Sequence, residues 1–288
     1  MLLQELINGL TLGAMYALLA LGYSLIFGTL SFINFAHGPV AMVGAYVAWY
    51  GSVRMGMPFL LACLIGILCA GIVGVIMELV GYRPVRKSSA LVMIIISVGF
   101  SYIIEVGLQI IFGTKAYDFS VKNVAVYKLG SVFVNSVGIE VLAVSLVLMV
   151  ALQLFIHSTR AGRSIRAISL DKDTASLMGV NVNSTISLTF FIGSVLGSIS
   201  VIMISIYYSQ IYPTMGSAMG SKAFAAVVLG GVGSIPGAMV GGVLMGVIES
   251  FSATLFNPEV SQSLSFVVLI LILIIRPFGL LGKAGVND

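Results

Sequence analysis

Four residues that disfavour a lipid-facing helix, Asn34, His37, Gly38 and Pro39, stand inside the apolar stretch "SLIFGTLSFINFAHGPVAMVGAYV" at 24–47. Backbone broken at membrane depth is tolerated only where protein or a water-filled cavity covers it. Two readings follow: a broken or re-entrant element beside a solute pathway, or a simple cap formed by Asn34 and His37 for the next helix. A second group, Ser97, Ser101, Glu105 and Gln109, recurs at four-residue intervals and so lies on one helical face. That face cannot meet hydrocarbon, and an ionisable residue within a span is a functional candidate. Glu105 either lines a pathway or bridges to a loop lysine. Glu78 lies close to Arg83, Arg86 and Lys87, which fits a structural ion pair at the membrane surface. Glu249, beside Ser250 and Ser252, takes no role from its sequence context.

Several chemistries are excluded. With only 2 histidines, a histidine-rich metal or protease site is not expected, and no metal or cofactor is assigned. Cys63 and Cys69 stand about 9 Å apart along a helix axis, beyond disulfide reach, and read as small core residues. No series of acidic, basic or histidine residues forms a proton relay or voltage sensor. An intramembrane enzyme would need a nucleophile and base that the sequence does not offer.

The elements that position these residues follow from composition. Of 288 residues, 59% are hydrophobic and 8% charged, with a mean hydropathy of +1.14. The apolar runs at 6–28, 58–77, 137–156 and 186–207, uncharged except for Glu140, reach the roughly 20 residues that cross a bilayer as helix. They are continuously apolar rather than alternating, which excludes a transmembrane β-barrel. The N-terminus carries Glu5 and no basic region before its first apolar run, so this helix is expected to remain in the mature protein. The expectation is an all-α, polytopic transmembrane bundle, one domain over 1–288, with about eight membrane segments, some broken or re-entrant.

Charge orients the chain. The loops at 82–89 and 157–184 carry 7 of the 14 arginines and lysines in two clusters, which places both in the cytoplasm, and the net charge of +4 points to membrane orientation rather than to nucleic acid. The loop at 114–136 then lies outside, despite Lys115, Lys122 and Lys128, as does the N-terminus. The tail, with Arg276 and Lys283, belongs inside. This requires 220–250 to supply two membrane segments, one short, hinged at glycines. Pairs such as Gly9/Gly13, Gly193/Gly197, Gly237/Gly241 and Gly242/Gly246 suit close helix packing. The hexapeptides at 39–44 and 236–241 agree at five of six positions, which fits either an internal repeat or chance in apolar sequence.

The loop at 157–184 is longer than a connection requires, and loops of this length usually have a task. Its first half alternates Arg160, Arg163 and Arg166 with Ala161, Gly162, Ile165, Ala167 and Ile168. In the second, Asp171 or Asp173 can cap a short helix that Gly179 ends. A short amphipathic hairpin of this kind suits a cytoplasmic partner.

The stretches "GLTLGAMYALLALGYSLIFG", "INFAHGPVAMVGAY", "YRPVR", "AGRSIRA" with "ASLMGVN", "KAFAAVVLGGVGSIPGAMVGGVLMGVIE" and "RPFGLLG" resemble, in order and spacing, the branched-chain amino acid permease subunits of bacterial ABC importers. The resemblance implies a half-permease in the bacterial inner membrane. Its partners would be a second homologous permease chain, two cytoplasmic ATPase subunits and a periplasmic or extracellular solute-binding protein. ATP chemistry would belong to the partners, since this chain has no phosphate-binding loop. The stretch 160–180 would dock on the ATPase through Arg160, Ala161, Gly162, Arg163, Arg166, Ala167, Asp171, Ala175 and Gly179. Broken segments at 34–39 and 230–237, with Gly230, Gly231 and Gly233, would flank a central pathway and offer helix-end partial charges to a zwitterion. Branched-chain amino acids, other amino acids, amides and urea all remain open as solutes. The rival class is a self-sufficient secondary carrier or channel, against which the docking-type loop and the scarcity of intramembrane charge both argue.

Overall fold

Apolar runs of this length have no hydrogen-bond partner in hydrocarbon and close their backbone bonds within helices. The computed structural model describes residues 2–120, 125–129, 132–256, 258–276 and 278–282. In it α1 (Leu2–Leu30) leads to α2 (His37–Trp49), prolonged by a π-helical turn (Tyr50–Arg54). α3 (Phe59–Met77) is prolonged by a second π-helical turn (Glu78–Tyr82) into the short α4 (Arg83–Val85). Next come α5 (Ala90–Phe112) and three short strands, β1 (Tyr117–Asp118), β2 (Val126–Leu129) and β3 (Val132–Asn135). They are followed by α6 (Ser136–Ser158), α7 (Arg160–Leu170) and α8 (Lys172–Leu177). The chain ends with α9 (Val182–Tyr207), β4 (Gln210–Ile211), α10 (Met215–Gly230), α11 (Ile235–Leu255) and α12 (Pro258–Ile275).

Among the described residues, 6 helical segments are long and apolar enough to cross a membrane: α1, Phe59–Val85, α5, α6, α9 and α11. α2 and α10 are shorter, which gives the broken segments that the sequence implied. α1 is the central post and packs chiefly on α11 and α9. Met15, Tyr16, Leu18, Leu19 and Leu21 are fully buried along it. α3, α5 and α6 instead turn Leu64, Ile72, Ile103, Ile110, Leu146 and Leu154 outward, an apolar perimeter suited to lipid. The chain is a multi-pass membrane protein.

Small residues set the central contact. Gly9 and Gly13 face Val243, Gly246 and Val247 so closely that a methyl at Gly13 would stand 2.7 Å from the Val243 Cα. Gly242 and Gly246 return the contact against Ala17 and Gly13. The two hexapeptides open α2 and α11, where Pro39 and Pro236 sit in the first turn and cost no internal hydrogen bond.

The two ends of the bundle differ. At the N-terminal end Gln4 pairs with the backbone of Phe133 (2.9 and 2.8 Å), β1 pairs with β4, and the Trp49 indole donates to the Asp118 carbonyl at 3.0 Å. At the opposite, basic end lie the close of α1, the arginines of 83–86, α7, α8 and the turn between α10 and α11. Glu78, fully buried, accepts from Arg83 at 3.0 Å, from Ser187 at 2.7 Å and from Arg86, which is the ion pair expected from sequence. The tail reaches this end too, since Leu280 and Leu281 donate to the carbonyls of Leu229 and Gly230 at 2.9 Å. Lys122 and Lys283 lie outside the described residues.

Candidate functional site

Asn34 and His37 are both buried, and the segment 31–36 enters the bundle as irregular backbone before α2 begins. The Asn34 side chain accepts from the Tyr82 hydroxyl at 2.8 Å and from the Ala36 amide at 3.1 Å. It therefore holds the break, and it also borders a small cavity with Tyr23, Phe32, Ile33 and Phe224. The His37 ring packs at 4.5 Å, edge to face, on Tyr23 and lies against Gly22 and Gly197. α2 thus begins in the interior, beside the middle of α1 and α9, and no side-chain hydrogen bond caps it. Of the two readings of this stretch, a broken segment is the one observed, and neither Asn34 nor His37 caps the helix.

The serine and glutamate stripe divides into two tasks. Ser97 is buried, donates to the Ile94 carbonyl at 2.7 Å and accepts from the Phe35 amide at 3.2 Å, which ties the broken segment to α5. Ser101 and Glu105 line a cavity of about 410 Å³ between α5 and α10. Its other walls include Tyr23, Phe35, Ser217, Ser221, Phe224 and Phe266, and Ser217 donates to the Glu105 carboxylate. Glu105 therefore bonds across to α10, and among the described residues no lysine pairs with it. Gln109 is half-buried on the same face, beyond the walls of this cavity.

Gly230, Gly231 and Gly233 stand elsewhere. They form the turn that folds α11 back on α10, where φ of +112° at Gly231 and +80° at Gly233 requires glycine. The tail covers this turn, and none of the three lines the cavity between α5 and α10.

A second cavity, about 420 Å³, opens at the N-terminal end, walled by Glu5, Asn8, Leu12, Tyr207, Tyr208, Gln210, Tyr212, Met215 and Met219. At its base Lys222 of α10 donates to Glu249 of α11 at 2.6 Å, and the Tyr16 hydroxyl of α1 donates to the other carboxylate oxygen at 3.0 Å. Both charged side chains are at least nine-tenths buried. Ser250 ties the rim to Glu5 at 3.0 Å. Lys222, Tyr16 and Ser217 had no place in the sequence-based site. The available signal was a lone lysine within an otherwise apolar run.

At the basic end, Thr159 caps α7 by accepting from the Gly162 amide at 2.9 Å. Asp171 caps α8 by accepting from the amides of Asp173 (2.8 Å) and Thr174 (2.9 Å). Those bonds, the one from Thr174 foremost, hold its carboxyl below the usual aspartate range. Burial, with Arg86 nearby, lowers the neighbouring Lys172 below the usual lysine range. Gly179, at φ +85°, ends α8 as expected. Arg160, Arg163, Asp171 and Gly179 are exposed, and Ala161 and Ala167 are half-buried. Gly162 is buried against the end of α6, Ala175 is buried, and the Arg166 guanidinium donates to the Ile156 carbonyl, so these three take part in the chain's own packing. Leu170, Leu177 and Met178, outside the expected set, are 79%, 88% and 81% exposed.

Residues 5–273 match the family model described as branched-chain amino acid transport system / permease component. The chain is 37% identical, over 99% of its length and 97% of the relative's, to the high-affinity branched-chain amino acid transport system permease protein BraD of Pseudomonas aeruginosa. It is 36% identical, with the same coverage, to the LivH permease protein of the corresponding Escherichia coli system. A solved structure, PsaBC from Streptococcus pneumoniae in complex with Fab, shares the fold at a TM-score of 0.54 and 12% identity, covering 94% of this chain and 91% of that one.

Proposed function

Because the chain belongs to the family of branched-chain amino acid transport permease components, we propose that it is a membrane-spanning subunit of an ABC importer. In this reading it carries branched-chain amino acids, or a closely related small polar solute, into the cytoplasm, and separate ATPase subunits energise it. The bilayer is the cytoplasmic membrane of a bacterium. The basic end faces the cytoplasm, as the clustering of arginines favours. A solute-binding protein delivers to the N-terminal end.

The observation that carries the proposal is the α7–α8 hairpin. Three large apolar side chains, Leu170, Leu177 and Met178, project from a polar loop that also exposes Arg160 and Arg163. Side chains of this kind at the basic end suit a protein groove, with the arginines contributing charge-assisted contacts at its rim. The cavity between α5 and α10 fits the same architecture. Its serines and Glu105 are poorly placed against hydrocarbon, and a second permease chain covering that flank would make it a shared pathway.

The hairpin is tested by Leu177→Asp with Met178→Asp. The expected result is a chain that inserts in normal amounts but no longer co-purifies with an ATPase, because truncating or charging an apolar anchor commonly costs about 2 kcal/mol or more. Normal co-purification would remove the hairpin from the interface. Gly162 is unsuitable for this test, since a side chain there would meet the carbonyls of Phe155 and Ile156 within the chain itself.

A further inference from the structure

We propose that the Lys222–Glu249 pair is a recognition site for the paired charges of a free α-amino acid, the carboxylate exchanging onto Lys222 and the ammonium onto Glu249. This rests on the importer reading and deepens it, because it selects a zwitterion over an amide or urea as the solute.

A buried ion pair is weak material for stability alone, since desolvation offsets much of the attraction between its partners. Here the pair forms the base of a cavity of about 420 Å³ that opens at the end opposite the hairpin. That volume lies within the range of small-molecule sites. The chemistry of the walls matches the two halves of a branched amino acid. Leu12, Met215 and Met219 supply apolar surface, and Lys222 and Glu249 supply opposite charges 2.6 Å apart. A zwitterion can replace each partner by its own like-charged group, so that neither buried charge is left uncompensated at any stage. A neutral amide has no such exchange, and a solute with one charge would replace only one half of the pair. Tyr16, donating to Glu249 at 3.0 Å from the buried side, keeps the carboxylate oriented while Lys222 is displaced.

Ala253, exposed and on the cavity wall, provides a reporter close to the pair without belonging to it. Ala253→Cys, with Cys63→Ala and Cys69→Ala, is placed in the full permease complex and treated with a membrane-impermeant thiol reagent from the side of the N-terminus. L-Leucine at about ten times its Kd is expected to slow labelling roughly tenfold by occupancy, while 3-methylbutanamide and urea at equal concentration leave it unchanged. With Lys222→Met and Glu249→Gln added, the thiol is expected to label at its original rate, which shows an intact cavity, but without leucine protection. Absence of leucine protection in the parent, equal protection by the amide, or protection that survives the double replacement would each overturn the proposal. Failure of the importer reading registers separately, as an unmodified chain with which no ATPase co-purifies.

Discussion

Glu105 shows how much a spacing can reveal at the scale of single residues. Four-residue intervals place Ser97, Ser101, Glu105 and Gln109 on one face whatever the neighbours are, and the structure puts Ser101 and Glu105 on a cavity wall. Spacing could not divide that stripe, because the partners of Ser97 and Glu105 come from elsewhere: Phe35 on the broken segment and Ser217 on α10. The Lys222–Glu249 pair was illegible for the same reason, since 27 residues and a glycine turn separate its members. Replacing Glu105 by Gln keeps the shape and the bond from Ser217 but removes the charge. The expected outcome is a normally assembled complex with altered transport, on the order of tenfold lower kcat/KM for a loss of about 1.4 kcal/mol. Uptake rates across substrate concentration check this, and rates equal to the parent would make Glu105 structural.

Helix periodicity and the small-residue pairs were legible at the scale of elements, because burial against another helix needs only a face and a shape. The pairs Gly9/Gly13 and Gly242/Gly246 do meet, and they bring α1 and α11 into backbone contact. The π-helical turns at 50–54 and 78–82 were not legible, as they depend on where α2 and α3 end against their neighbours rather than on local pattern. Gly13→Leu would drive a side chain into the Val243 backbone, and overpacking of this kind typically costs about 1–3 kcal/mol. Its expected effect is a lower midpoint of thermal unfolding for the detergent-solubilised chain, with Gly99→Leu as control because open space surrounds that position. Equal midpoints for the two variants would show that the α1–α11 contact is looser than its glycines suggest.

At the scale of the whole molecule, an even number of crossings between 186 and 275 requires a turn at the glycines, and α10 and α11 meet at that turn. Ser88 and Ser176 stand at the basic end and Ser120 at the other, with β1 and β4 pairing just beside it. Single cysteines at Ser88 and Ser176 are therefore expected to label only from the cytoplasm and one at Ser120 only from outside. Labelling at Ser120 from the cytoplasm would invert the bundle. The hairpin proposed for docking was legible as a loop too long for a mere connection, but Leu170, Leu177 and Met178 were not singled out in it, since only the fold shows which apolar side chains the hairpin leaves uncovered. The central claim is that this bundle moves its solute only when an ATPase grips that hairpin. Uptake of radiolabelled L-leucine into proteoliposomes holding the complete complex, with and without internal ATP, measures this directly. The account predicts uptake that requires ATP and is abolished by Leu177→Asp with Met178→Asp, whereas leucine uptake by this chain alone, without ATP or any ATPase, would contradict it.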